Sequence, residues 1–276
     1  MSKSESESYS TTGQLLLSIS STNTSKETYK LATQNPFLLK AQHSNDLLSF
    51  WLHQDRIYAA HAYPKFIGSL IAKIPFSNTD SSTSTSTSNP EVGAEVRAET
   101  KAETLNQRIL RTLVFCLTNI INEVQFFDET AKKWNLSIDV WKERKGTRDY
   151  TAEMARIASE GSIEDGLVFL WAMEKVYLDA WTYARENLED VTNVSNPSNQ
   201  SSKPESDSAF SAFAHNWSTP EFGVFVDDLA KLVDSVASAK DVAPDHDSRV
   251  YRRAKGIWDR VVELEIGFWP ETEELP

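Results

Sequence analysis

Cysteine, basic charge and long apolar runs are all scarce in this sequence. Cys116 is the only cysteine, which rules out an intramolecular disulfide and a cysteine-based metal cluster. It sits in LRTLVFCLTNII, a strongly apolar stretch, and reads as a small buried core residue rather than a nucleophile. Lysine and arginine total 28 against 40 aspartates and glutamates, a formal net charge of −12. A surface that acidic repels phosphate backbones, so nucleic acid is not an expected partner. The local basic runs KKW at 132–134 and KERKGTR at 142–148 read as a solvated helix end or loop. No stretch approaches the roughly 18 apolar residues that a membrane-spanning helix needs. The LLL that follows MSKSESESYSTTGQ is too short for the core of a signal peptide. No membrane partner is expected, and the expected setting is cytosolic or nuclear, with the cytoplasm preferred.

What is present reads as helix. Alternating β-branched patterns are nearly absent, whereas apolar residues recur every three or four positions. Leu105, Ile109, Leu113, Leu117, Ile120 and Val124 form a stripe on a helix over 103–127. Residues 44–74 form another, opened by Ser44-Asn45-Asp46 and kinked at Pro64. Further helices are expected at 148–160, 163–187 (begun by a capping box at Ser162 and Asp165), 220–238 and 245–268. Between them, SNTDSSTSTSTSNPEV and DVTNVSNPSNQSSKPESDSAF offer too little apolar surface to offset the entropy of ordering. The expectation is an all-α bundle over 28–270, with a disordered tail at 1–27 and disordered Ser/Thr/Asn-rich insertions at 77–100 and 190–210.

Several carboxylates stand where a plain core helix would carry apolar side chains. Asp55 continues the stripe Leu48, Trp51, Asp55, Tyr58, Ala62, and Glu265 continues Ala254, Trp258, Val261, Glu265, Phe268. Glu263 falls instead on the face of Asp259 and Arg260. The most apolar helix, 163–187, carries Glu174 and Asp179, each either at a solvated edge or in a salt bridge, or else functional. An unpaired buried carboxylate costs several kcal/mol or takes up a proton. Asp55 and Glu265 therefore either find a fixed partner or line a polar pocket, the kind of environment that acid/base chemistry uses.

The segment NPFLLKAQHSNDLLSFWLHQDRIYAAHAYPKFIGSLI, with Gln54-Asp55-Arg56-Ile57-Tyr58, resembles the opening of TenA (thiaminase II) proteins, which have a haem-oxygenase-like helical fold. Thr147-Arg148-Asp149-Tyr150, the run from Trp217 to Phe222, and Leu264-Glu265 with Phe268-Trp269 resemble further elements of that family, in family order, over 33–73, 105–188 and 212–270. The resemblance implies a TenA-like domain over 28–270 that hydrolyses an exocyclic group from an aminopyrimidine in thiamin breakdown or salvage, and it admits a homo-oligomer. It implies Glu265 as acid/base with Glu174 as a second catalytic carboxylate. Asp55 would hold the pyrimidine's amino edge, with Tyr58, Tyr150, Tyr177 and Trp217 completing the substrate pocket. In the best-known members a cysteine nucleophile stands four residues before a tyrosine. Aligning that tyrosine with Tyr177 puts Met173 at the nucleophile's place. The chain thus resembles the TenA-like group that lacks the cysteine, in a fungal-type form with insertions. The competing reading is a catalytically silent small-ligand-binding protein. No Glu-x-x-His pair occurs and none of the five histidines has a companion signal, so neither metal nor cofactor is expected.

Overall fold

Helix starts fall where short polar side chains can take an orphaned backbone N–H. The Ser44 hydroxyl accepts from Leu47 N at 3.2 Å. Ser162 and Asp165 close a reciprocal capping box, with Asp165 accepting from Ser162 N at 2.7 Å. The computed structural model describes residues 23–76, 90–138, 141–188, 208–238 and 249–275. Its helices are α1 (Asn23–Thr33), α2 (Phe37–Lys40), α3 (Asn45–Ile57), α4 (Tyr63–Ala72), α5 (Pro90–Trp134), α6 (Lys145–Glu160), α7 (Ile163–Glu186), α8 (Ala209–Asn216), α9 (Pro220–Ser238) and α10 (Arg249–Phe268). No strand occurs among the described residues, and no described helix is long and apolar enough to cross a membrane.

α7 is the axis of the bundle. It is buried on nearly every side and packs against α1, α8, α9 and α10, as its uniformly apolar surface requires. Of the two carboxylates that made it unusual, Asp179 is held at the edge by Lys175 at 2.7 Å and Tyr29 at 2.5 Å. Glu174 faces the interior cavity described below. Glu263 pairs with Arg260 at 2.8 Å on the exposed face of α10.

Three expected boundaries move. The expected tail 1–27 gives way to helix from Asn23, and residues 1–22 lie outside the described residues. The expected insertion 77–100 gives way to α5 from Pro90 onward, with 77–89 outside the described residues. The expected insertion 190–210 ends earlier, because Ser208 caps α8 and Phe210 is buried against Trp181 with ring centroids 5.6 Å apart. Residues 189–207 lie outside the described residues. α5 also ends later than expected, at Trp134, and Asn135 just beyond it stops the helix with a φ of 53°, the left-handed form that asparagine tolerates.

The kink expected at Pro64 is a π turn just before it, over Tyr58–Ala62. Proline cannot donate its backbone nitrogen to the preceding turn, and the wider turn absorbs the lost bond. Five residues along a regular α-helix rotate a side chain by about 140°, taking it off its face. The π turn cancels most of that rotation. Tyr58 and Tyr63 consequently point the same way, with ring centroids 6.3 Å apart.

The segment read as a solvated basic run is instead a clamp. Arg144 donates to the Phe268 carbonyl at 2.7 Å and to the carbonyls of Gly267 and Trp269 at 3.3 Å, satisfying the open end of α10. Buried Gln54 accepts from Arg144 N at 2.8 Å and from the Thr147 hydroxyl at 2.7 Å, and it donates to the Lys142 carbonyl at 3.0 Å. A side chain at Gly146 would place its Cβ 1.9 Å from the Gly267 carbonyl oxygen, so only glycine lets α6 start this close to α10. These contacts fix Tyr150 of α6 and Glu265 of α10 on the same interior space.

Candidate functional site

That space is a cavity of about 310 Å³ bounded by α3 with its π turn, α5, α6, α7, the α8–α9 turn and α10. Its floor is made of groups that are almost fully buried: Asp55, Tyr150, Met173 and Glu265 are each 2–3% exposed. Its mouth lies between α5 and the α8–α9 turn, where the lining residues Phe115, Asn119, Asn122, Asn216 and Glu221 are exposed.

On the floor, the Tyr177 hydroxyl donates to Asp55 Oδ2 at 3.0 Å. The Tyr63 hydroxyl donates to Glu174 Oε1 at 2.8 Å, and the Tyr58 hydroxyl donates to the Met173 sulfur at 3.1 Å. Tyr58 and Tyr150 meet edge to face at 5.3 Å. Glu265 Oε1 is buried and has no hydrogen-bond partner within the protein. A buried carboxyl oxygen left open toward a cavity needs either a proton or a ligand.

Burial drives the protonation of all four interior carboxyls. It pushes Asp55 up to about 8, helped by the charge of Glu265 and opposed by the Tyr177 hydrogen bond. It pushes Glu265 up to about 8 against the stabilising hydroxyl of Tyr150. Glu174 rises to about 7, with Tyr63 opposing the rise. Glu123 rises to about 8 through burial and the charges of Asp55 and Glu174, with Trp217 opposing. All four are thus poised near neutrality, where a carboxyl both gives and takes protons readily.

The arrangement of the whole bundle has precedents. A TenA homologue from Pyrococcus furiosus matches with a TM-score of 0.62 at 20% identity, over 94% of this chain and 98% of that one. A TenA homologue from P. horikoshii matches at 0.58 and 17% identity, over 95% and 97%. A TenA family transcription regulator from a Silicibacter species matches at 0.62 and 13% identity, over 94% of each chain. The fold is that of the TenA homologues. No protein-family model matches the chain. A probable transcription factor from Fusarium pseudograminearum is 24% identical over a stretch covering 58% of this chain and 37% of that protein, so this chain spans well under half of that relative's length.

On this TenA fold, the seven residues singled out from the sequence, Asp55, Tyr58, Tyr150, Glu174, Tyr177, Trp217 and Glu265, all line the one cavity. Sequence reasoning missed Glu123, Cys116 and Tyr63, which line it too. On α5 the expected stripe is half right. Its Ile109, Leu113 and Ile120 are buried, but its Leu105, Leu117 and Val124 are only partly buried, and Cys116 and Phe127 complete the buried face. Glu123 falls in register between Ile120 and Phe127, so the argument that exposed Asp55 and Glu265 would have found it on the correctly drawn stripe. Cys116 is buried as expected, but it forms part of the cavity wall. Burial and the charge of Glu174 push its thiol up to about 12, which leaves it protonated and weakly nucleophilic. Tyr63 gave no sequence signal, because only the π turn brings it to the face of Tyr58.

Proposed function

We propose that this protein is a thiaminase-II-like hydrolase that cleaves the exocyclic C–N bond of an aminopyrimidine from thiamin breakdown or salvage, with carboxyls in place of a cysteine. The observation that carries the reading is Glu265 Oε1, a buried, unpartnered carboxyl oxygen facing a cavity that also holds the Asp55–Tyr177 pair. In this reading protonated Asp55 donates to a ring nitrogen of the pyrimidine and accepts from its amino group, with Tyr177 fixing the carboxyl's orientation. Tyr58, Tyr150 and Trp217 pack around the ring. Water supplies the oxygen that bonds to the exocyclic carbon, and its proton passes to Glu174. The departing nitrogen takes a proton from Glu265 and leaves as the amine, so the reaction consumes one water and leaves the protein's proton count unchanged. A positioned acid/base of this kind contributes on the order of 100- to 10,000-fold.

The thioether of Met173 is no nucleophile, which supports placing the chain with the TenA-like branch that lacks the cysteine, in a fungal-type form. The setting we propose is cytoplasmic, with a small pyrimidine as the partner and a homo-oligomer as the assembly. Met173 also favours a second reading, a silent binding protein, because its sulfur accepts the Tyr58 hydroxyl and supplies no attacking group. Incubation of the purified protein with thiamin and with its aminomethyl- and formylaminomethyl-pyrimidine products separates the two. Appearance of the hydroxymethyl-pyrimidine, lost in Glu265→Gln, supports hydrolysis. Tight binding without turnover supports the silent protein.

A further inference from the structure

Two carboxyls that share a hydrolysis must hold opposite states at the same pH. One is ionised to take a proton from water, and the other is protonated to give one to the leaving nitrogen. Positive charge does not supply that difference here, because no lysine, arginine or histidine lines the cavity among the described residues. Burial alone favours the protonated form of every carboxyl in it. The difference therefore comes from hydrogen-bond donors, and the tyrosine hydroxyls are shared out. Tyr177 donates to Asp55 at 3.0 Å, Tyr58 donates to the Met173 sulfur at 3.1 Å, and Tyr150 stabilises Glu265. Tyr63 donates to Glu174 Oε1 at 2.8 Å.

Tyr63 owes that place to the backbone. Without the wider turn over Tyr58–Ala62 its ring would leave the face that Tyr58 occupies, and the phenol would not enter the cavity. As it stands, Tyr63 is buried and lines the wall beside Cys116. That thiol is pushed up to about 12 by burial and the charge of Glu174, so it keeps its proton at neutral pH and leaves the phenol to serve Glu174. The other titratable groups around the cavity are Asp55 and Tyr58 from α3 and its π turn, Glu123 from α5, Tyr150 from α6, Tyr177 from α7, Glu221 from α9 and Glu265 from α10. Each is neutral or negative, and Tyr63 is the group that opposes the rise of Glu174. Glu174 also keeps part of its surface open, whereas Glu265 is 2% exposed and its Oε1 has no partner within the protein.

We propose that Tyr63 is a positioning residue that holds Glu174 Oε1 in the ionised form and leaves Oε2 for the attacking water, so that Glu174 is the base and Glu265 the acid. The assignment deepens the hydrolase reading and rests on it for the reaction. The hold of Tyr63 on the Glu174 proton does not require turnover.

The test begins without substrate. In the full-length protein labelled with carbon-13 at the glutamate carboxyls, the Glu174 signal is identified by its loss in Glu174→Gln. It should titrate at about 7. In Tyr63→Phe the midpoint should rise by about one pH unit, the size expected for a lost hydrogen bond to a charged group. With the aminomethyl-pyrimidine as substrate, Tyr63→Phe should lower kcat/KM about tenfold at pH 6 and by less than about twofold at pH 8.5, because only the acid limb of the profile moves. An equal loss at every pH, the mark of a packing role, overturns the proposal, and so does a Glu174 midpoint that stays in place. If Tyr63→Phe does not fold by circular dichroism, the phenol proton of Tyr63 in the unaltered protein carries the test. Its resonance should move with pH at the Glu174 midpoint, and a resonance indifferent to pH overturns the proposal. A midpoint that shifts in a protein hydrolysing no pyrimidine overturns the hydrolase reading alone. Hydrolysis with an unmoved midpoint overturns the role of Tyr63 alone.

Discussion

The floor and the mouth of the cavity are built from different groups. At the floor, Asp55, Glu174 and Glu265 are buried among tyrosines, and each tyrosine hydroxyl is committed to a carboxyl or to sulfur. Glu123 beside them accepts from the Trp217 indole, whereas at the mouth Phe115 and Phe225 pack on each other with ring centroids 5.3 Å apart. A hydroxyl or indole donor opposes the rise in proton affinity at each buried carboxyl, whereas the phenyl rings of the mouth offer no such group. Burial sets the direction of each carboxyl's shift and the neighbouring donor only moderates it, so groups poised for proton transfer collect at the buried floor rather than at the exposed rim.

The largest effect is expected at Glu265. Glu265→Gln should keep the fold and lose about 100-fold or more in pyrimidine hydrolysis, as expected for a removed general acid/base. Glu123→Gln should lose less than tenfold, because the Trp217 indole already occupies its carboxyl. Equal losses from the two in steady-state assays would give Glu123 a share in the acid/base role.

A second test reads protons directly. Burial holds Asp55, Glu123 and Glu265 near 8 and Glu174 near 7, while in the unfolded chain carboxyls titrate at about 4. The folded chain thus binds more protons than the unfolded one between about pH 4 and 8. Its stability is greatest below that window and is lost as the pH rises through about 7 to 8. The Tm should fall by several degrees from pH 5 to pH 8.5, and the slope should flatten in Glu265→Gln and in Glu123→Gln. A Tm that rises over this range would mean the carboxyls are ionised in the folded protein.

Gln54→Leu tests how the floor is held together. It leaves the Arg144 N–H and the Thr147 hydroxyl without their shared acceptor, at a cost of about 2–3 kcal/mol, measurable as a shift of the urea midpoint. A change below about 0.5 kcal/mol would show that the clamp does not tie α3 to α6 and α10. Met173→Cys puts a thiol on the floor and should raise turnover several-fold, seen in initial rates. A loss of turnover would show that the thioether contact with Tyr58 matters more than a nucleophile. The smallest effect is expected at Cys116→Ser, within about twofold in rate, because the native thiol stays protonated. Abolished turnover would make Cys116, and not the carboxyls, the group to explain.

Asp55 and Glu265 were legible because each interrupts an apolar stripe on a helix with one clear inward face. Ser44 and Ser162 were legible because capping is a local exchange between a side chain and the next turn. Glu123 was hidden by a helix with two adjacent apolar stripes, and only packing decided which one faced inward. Arg144 was hidden for a different reason. Its role is to cap a helix more than a hundred residues further along the chain, and nothing within its own segment signals that.

By itself, the sequence determined the helices and the inward direction of the Asp55 and Glu265 stripes, because periodicity and caps act within a turn or two of the chain. Only the tertiary structure decided that these carboxyls share one cavity with Glu123 and Cys116, that Tyr63 turns toward it, and that a basic run closes the end of α10. Those outcomes depend on close approaches such as Gly146 against Gly267 and on the π turn before Pro64. Close approach is a property of two segments meeting, and neither segment carries it alone.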